Sequence, residues 1–422
     1  MTMQRFYLKT EIRQMAVLAA VWLAFLMTFV ARMAWSVVMP VAGSELMLTQ
    51  SQKAAYISAF YMSYALMVLP GGILADKLGY KKVLAVSLLL SAAATALMAT
   101  VTTYYEGLLY RLLLGLFCGP VHASCLGAIG QWFSVRQRPV AVALFMTATS
   151  FGLMVVNMYA PQAAEQFGWH AAFSRTAVII LSSAVIMVLL LFFIGVPPEA
   201  EQRKPMEKSR FNLKKAGADL LELVRNRNVL LLACAGFFAT GTTWSISNWA
   251  NQALVSKFAI TPVEAGSVMK YYALSALLAK PVSGFLGSVI KIRRNRLAAL
   301  TLLLFTPALL FFAVNQNPAL LYLSAIILGC GAFIYSPLTG ALSVELAPAH
   351  MRSTSAGFVN TFQQVGTLAA PMILGGILEV TASYERALLF MTVGPIIGAL
   401  FLLFIKLQPD VKEAGVSGGK GR

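Results

Sequence analysis

The chain has 422 residues, of which 59% are hydrophobic and only 12% charged, with a formal net charge of +17. Such a balance excludes a water-soluble protein of this length and makes lipid the solvent. The Lys and Arg lie in short links between apolar runs rather than along one face, which excludes a nucleic-acid binder and turns them into orientation signals.

Runs able to cross roughly 30 Å of hydrocarbon, at about 20 residues each, are predicted at 15–40, 54–75, 83–101, 106–133, 139–163, 170–196, 228–256, 263–290, 297–315, 318–346, 353–378 and 385–407. The first is too long for a cleaved signal segment and is expected to stay as a span. Arg5, Lys9 and Arg13 precede it, Lys77, Lys81 and Lys82 follow the second, and Arg136 and Arg138 follow the fourth. The same side receives Arg203, Lys204, Lys208, Arg210, Lys214, Lys215, Arg225 and Arg227 after the sixth run, and Lys291, Arg293, Arg294 and Arg296 after the eighth. This excess places even-numbered junctions and both termini in the cytoplasm.

The polar stretch 197–227 opens on Pro197-Pro198-Glu199 and reads as a cytoplasmic linker with an amphipathic helix. It separates an N-terminal six-helix bundle, 1–196, from a C-terminal one, 228–422, so the expected fold is an all-α polytopic membrane protein of twelve spans. Gly115, Arg138, Ala143, Thr147 and Gly152 recur at one constant spacing as Gly329, Arg352, Gly357, Thr361 and Gly366. Gly72 and Gly284 head a similar pair of segments. The halves therefore read as parallel repeats, with a site between them at mid-depth. Cys118, Cys125, Cys234 and Cys330 lie inside apolar runs without metal-ligand spacing and read as packing residues.

Gly72-Ile-Leu-Ala-Asp76-Lys77-Leu-Gly79-Tyr-Lys81-Lys82, after span 2, resembles the signature loop of the major facilitator superfamily, and the resemblance in layout covers almost the whole chain. Gly72 is expected to allow close helix approach, Gly79 a tight turn, and Asp76 to latch a gate by pairing with an arginine. Lys77 and Arg138 are grouped with that gate, while Arg111, about one turn from the extracellular end of span 4, reads as a helix-end or gate residue. In the second half Ser288 replaces the acid. Within the superfamily, Phe29-Val-Ala-Arg32-Met-Ala-Trp35-Ser36, Arg111-Leu-Leu-Leu-Gly115, Trp132-Phe133 with Arg138, and Phe167-Gly-Trp169-His170-Ala-Ala-Phe173 resemble the anion:cation symporter family. The first of these also resembles the organophosphate:phosphate antiporters. That resemblance implies a substrate-binding arginine at Arg32. The symporter pattern has Asp just before that arginine and Glu in span 4, where this chain has Ala31 and Cys118.

Independently of any family, charged residues deep in a span are costly enough to mark function. Arg32, His122 and Lys280 lie well inside predicted spans, while no Asp or Glu lies mid-span. An anionic substrate supplies the missing counter-charge, because Arg offers a planar fork to a carboxylate or phosphate and Lys a point charge. His122 can carry a proton near neutrality. Trp35, Tyr61, Tyr64, Trp244, Asn248, Tyr271, Tyr335, Asn360, Gln363 and Gln364 are expected to complete the pocket, since amides and phenols in hydrocarbon need partners. Gly115 and Gly119 read as a close-packing face.

The expectation is a secondary transporter moving a small organic anion, a carboxylate, by alternating access, with protons as a candidate coupling ion. An exporter of amphiphilic drugs or metabolites and a transport-like receptor are the rivals. No catalytic constellation or nucleotide loop points to an enzyme or to a bound cofactor. The absence of Asn-x-Ser/Thr sequons fits a bacterial inner membrane; the expected partner is lipid and not nucleic acid, and the expected state a monomer.

Overall fold

The computed structural model describes residues 10–134, 136–195, 221–290, 292–346 and 352–407, and the regular elements among them are helical. Four helices open the chain: α1 (Thr10–Glu45), α2 (Gln50–Leu78), α3 (Tyr80–Met98) and α4 (Tyr104–Trp132). Arg138–Met146 runs on into the start of Ala148–Ile194 as α5, and the remainder, after a break at Gly168, is α6. The second half contains α7 (Arg227–Phe258), α8 (Pro262–Val289), α9 (Arg294–Leu303 with Phe305–Val314) and α10 (Leu321–Ile334 with Ser336–Glu345). It closes with α11 (Arg352–Thr381) and α12 (Tyr384–Met391 with Val393–Leu403). Each expected span is found, with ends that differ by a few residues: α1 is longer at both ends, whereas α3 and α12 stop short at Met98 and Leu403. The linker expected over 197–227 lies, as far as residue 220, outside the described residues, and so do the side chains of Ser288 and Arg352.

Local chemistry sets the ends of these helices. Gly79 alone joins α2 to α3 and adopts φ +86°, and Gly168 turns the chain between α5 and α6 at φ +80°, values that a side chain would strain. On the face where α1 ends, reciprocal capping boxes start α2 (Thr49 with Gln52), α4 (Thr103 with Glu106) and α8 (Thr261 with Glu264). On the opposite face, basic residues close helix C-termini. Arg13 Nε donates to the Ile194 carbonyl at 2.8 Å, and Lys81 Nζ to those of Leu191 and Gly195 at 2.6 and 2.5 Å. Arg138, grouped with the gate from sequence, donates to the carbonyls of Phe133 and Gly130 at 3.0 and 2.6 Å, so its place is a cap on α4.

Small residues set how closely the helices pack. A Cβ on Gly115 of α4 would meet the Phe60 carbonyl and Ser63 Oγ of α2, and one on Gly329 of α10 would meet the Tyr272 carbonyl and Ser275 Oγ of α8. Gly152 of α5 lies against Leu26 and Phe29 of α1, and Gly366 of α11 against Phe237 of α7. The sequence repeat is thus a repeat of contacts, and the twelve helices form two six-helix bundles built alike. One expectation shifts by a residue: the close approach of α2 to α4 is made by Gly71 against Pro120, whereas a Cβ on Gly72 would stand 3.5 Å from Ala123 Cβ, an ordinary contact.

The bundles meet mainly toward the face where α1 ends. Ser51 N donates to Glu379 Oε2 at 3.0 Å, Ser58 Oγ to the Leu368 carbonyl at 2.8 Å, and Asn251 Nδ2 to Asn157 Oδ1 at 3.0 Å. Toward the other face, the described hydrogen bonds between the halves end at Lys280. Asp76 and Lys77, at that face, are exposed and make no ion pair among the described residues.

Candidate functional site

Arg32 lies halfway along α1, 4% exposed, inside a cage of four rings. Its guanidinium carbon stands 4.3 Å from the ring centre of Phe29, 4.6 Å from Tyr64, 5.1 Å from Phe60 and 5.2 Å from Tyr61. Phe29 is one helical turn before it on α1, and the other three come from α2. Such rings attract a cation through their quadrupole but offer no negative charge. Nε and Nη2 of Arg32 are buried without a hydrogen-bond partner.

Arg111 of α4 is fully buried behind this cage rather than at a helix end or gate, where the sequence put it. Its Nε donates to the Tyr56 carbonyl at 3.0 Å and its Nη1 to the Arg32 carbonyl at 3.3 Å, so one side chain ties α4 to both α1 and α2. Its Nη2 has no partner. Trp35 is buried against the ring of Tyr56 at 4.7 Å. The described Asp and Glu residues of the spans, Asp76, Glu106, Glu165, Glu264, Glu345 and Glu379 among them, all lie within a few residues of a helix end. The buried centre therefore carries net positive charge with nothing of its own to neutralise it.

One turn beyond Arg32, the second half closes over the cage. Ser36 Oγ donates to Asn248 Oδ1 at 2.5 Å, and Asn248 Nδ2 reaches the Trp244 carbonyl at 2.6 Å and the Tyr61 hydroxyl at 3.3 Å. On the other side a row of rings crosses between the bundles: Phe29 to Trp244 at 5.4 Å, then Trp244 to Phe333 at 5.8 Å. At its end Lys280 Nζ lies 5.1 Å from the Phe333 ring and donates to Thr149 Oγ1 at 2.7 Å and Ser150 Oγ at 3.0 Å, both on α5. His122 is half-buried among Phe25 and Phe145, at 5.2 and 6.1 Å, one turn along α4 from Cys118. Tyr335 is tied to Thr243 Oγ1 at 3.0 Å, and half-buried Gln364 donates to Asn360 Oδ1 at 3.4 Å on α11. The Gln363 stem covers Gly236 of α7.

Tyr271 does not join this group. It is 37% exposed and meets Tyr322 edge-on at 5.4 Å, on the outer side of α8. The adjacent Tyr272 points inward instead, its hydroxyl 2.8 Å from Ser247 Oγ and its ring 5.9 Å from Phe333. Sequence reasoning also missed Phe60 and the pair Thr149 and Ser150. Phe29 carried a signal, since its spacing of three from Arg32 puts both on one helix face. A separate groove lined by Thr49, Gln50, Glu379 and Tyr384 opens at the sealed face, away from Arg32.

Comparison with known proteins agrees with the fold. The family model described as Major Facilitator Superfamily matches residues 21–371 and 232–421. Among curated relatives, the probable galactarate/D-glucarate transporter of Bacillus subtilis (strain 168) is 22% identical over 84% of this chain and 83% of its own. The D-galactonate transporter of Escherichia coli O6:H1 is 21% identical over 96% and 97%, and the probable sulfoacetate transporter of Cupriavidus necator 26% over 95% and 96%. A bacterial homolog of the human lysosomal transporter Spinster, solved in an inward-facing and occupied conformation, superposes with a TM-score of 0.76 at 14% identity, over 92% of this chain and 96% of that one. The chain is thus a multi-pass membrane transporter, not an enzyme, and it belongs to the major facilitator superfamily.

Proposed function

We propose that this protein carries a small organic anion with a carboxylate group across the cytoplasmic membrane, and that Arg32 holds the acid. The observation that carries this reading is the pair of orphaned nitrogens on Arg32, buried in a ring-lined cage with no acid from the described spans beside it. A buried guanidinium with unmet N–H groups is expensive in hydrocarbon, and a carboxylate accepting two parallel hydrogen bonds removes that cost. The relatives named for galactarate, D-galactonate and sulfoacetate, all acids, support the same class. Opening and closing follow from the architecture: the contacts through Asn248, Ser58 and Glu379 seal one face, and rocking of the bundles about the Arg32 level opens it. The basic links place both termini, and the unsealed face bearing Asp76, in the cytoplasm. His122, half-buried against Phe25 and Phe145, is the group through which a proton couples to the cycle.

Binding to the purified protein tests the reading. With D-galactonate as ligand, affinity falls in the order Arg32, Arg32→Lys, Arg32→Gln, because Lys keeps charge but not the fork and Gln keeps neither. The expected loss for Gln is about 2–5 kcal/mol. Equal titration curves for folded wild type and both variants, or a best ligand that is cationic, would refute the anion assignment and favour an exporter of amphiphiles.

A further inference from the structure

We propose that Lys280 is a second anion anchor, so that the carried molecule bears an acidic group at each end; this rests on the reading of Arg32 as the first anchor. Lys280 lies nine residues before the end of α8, and its ammonium turns inward to the opposite bundle rather than out to the membrane surface. Its two hydrogen-bond acceptors, Thr149 Oγ1 and Ser150 Oγ, are neutral hydroxyls. No acid of the described spans neutralises it. Two hydroxyls satisfy donors of the ammonium without balancing its charge, which leaves Lys280 open to exchange them for an anion.

Its position relative to Arg32 gives the anchor its geometry. The two cations stand at the two ends of one continuous row, Phe29, Trp244 and Phe333, with Arg32 on the first-half end and Lys280 on the second-half end. A ligand held between the two cations is gripped by a different bundle at each end. Binding both ends would release Lys280 from Thr149 and Ser150 and tie the two bundles through the ligand. Packing does not explain the lysine either: at the repeat spacing that takes Gly72 to Gly284, Lys280 falls on Val68, an apolar residue in the matching helix. The charge is an addition to one half of a repeated frame.

The test compares D-galactonate with galactarate, which carry one and two carboxylates on the same six-carbon chain, by titration into the purified full-length protein. Wild type is expected to prefer the diacid by about tenfold or more, and Lys280→Gln to lower galactarate affinity by about that factor more than D-galactonate affinity, which removes the preference. A preference that survives Lys280→Gln overturns the proposal, as does an equal loss for both ligands, which would mark Lys280 as structural. If wild type binds the monoacid and shows no preference for the diacid, the second anchor is wrong and the Arg32 reading stands; if it binds neither, both fall. Should Lys280→Gln not fold, Thr149→Val with Ser150→Ala leaves the ammonium in place without its hydroxyls. That variant is expected to widen the diacid preference, and anything else overturns the proposal.

Discussion

The two halves share a frame and differ in charge. Gly115 and Gly329 admit the same neighbouring carbonyl and serine, and Gly152 and Gly366 seat the same pair of helices against each other. Thr49 with Gln52 and Thr261 with Glu264 cap the matching helices α2 and α8. The charged interior is not repeated: Ala325 stands where Arg111 would recur and Ser288 where Asp76 would. Features present in both halves are thus those any six-helix unit needs in order to pack, whereas features in one half alone are candidates for work on the substrate. Repetition sorts structural residues from functional ones in a single chain.

The largest expected effect comes from breaking the shared frame. Gly115→Val and Gly329→Val each drive a side chain into a backbone carbonyl, which cannot move without shifting a helix. The cost is about 1–3 kcal/mol or more for each, and both variants should be recovered in low yield with lowered thermal midpoints. Loss at one position alone would show that the halves are alike in contact but not in energy.

Next come the unrepeated residues, which should alter transport while sparing the fold. His122→Gln is expected to abolish proton-driven accumulation and to leave counterflow exchange intact, because the ring meets only the apolar rings of Phe25 and Phe145 among the described residues. Undiminished accumulation by the variant in liposomes with an imposed pH gradient would return His122 to a packing role. Asp76→Asn should have a smaller effect, slowing flux severalfold with expression unchanged. Asp76 is exposed and makes no ion pair among the described residues, so a latch that forms only when that face closes is expected to show in the transport rate rather than in the yield. Initial rates across a range of substrate concentrations decide the matter: identical rates at every concentration would remove Asp76 from the cycle.

Much of the frame was legible in the sequence because lipid demands it. An apolar run of about 20 residues has few alternatives to a spanning helix, and the glycine repeat marked where pairs of helices touch. What the sequence left open was rotation. A helix that is apolar all round, with lipid on one side and protein on the other, has no polar face to fix which residues turn inward. Tyr271 and Tyr272 show the consequence, since neighbours on a helix point about 100° apart and only the second reaches Ser247. Gly71 and Gly72 differ in the same way. Arg32 was readable because burial of a charge is costly wherever it points, but the four rings around it and the carbonyls held by Arg111 come from α1, α2 and α4 together, and no local pattern announces that convergence.

The smallest effect tests the comparison most finely. Thr49 and Thr261 make the same reciprocal cap with a residue three positions on, each side-chain oxygen accepting from the backbone N–H of Gln52 or Glu264. Removing either hydroxyl by Thr→Ala should cost about 1 kcal/mol, read as a small and equal fall in thermal midpoint. The two helix starts differ in one respect. Beside Thr49, Ser51 N donates to Glu379 Oε2 across the sealed face at 3.0 Å, whereas the start of α8 has no such described bond to the other bundle. Fraying α2 by Thr49→Ala should therefore loosen the seal as well as the helix, and raise access of a thiol reagent to a cysteine placed at Ser58. Thr261→Ala should leave that access unchanged. Equal labelling of the two variants would mean that the cap serves only its own helix and that Glu379 holds the seal without it.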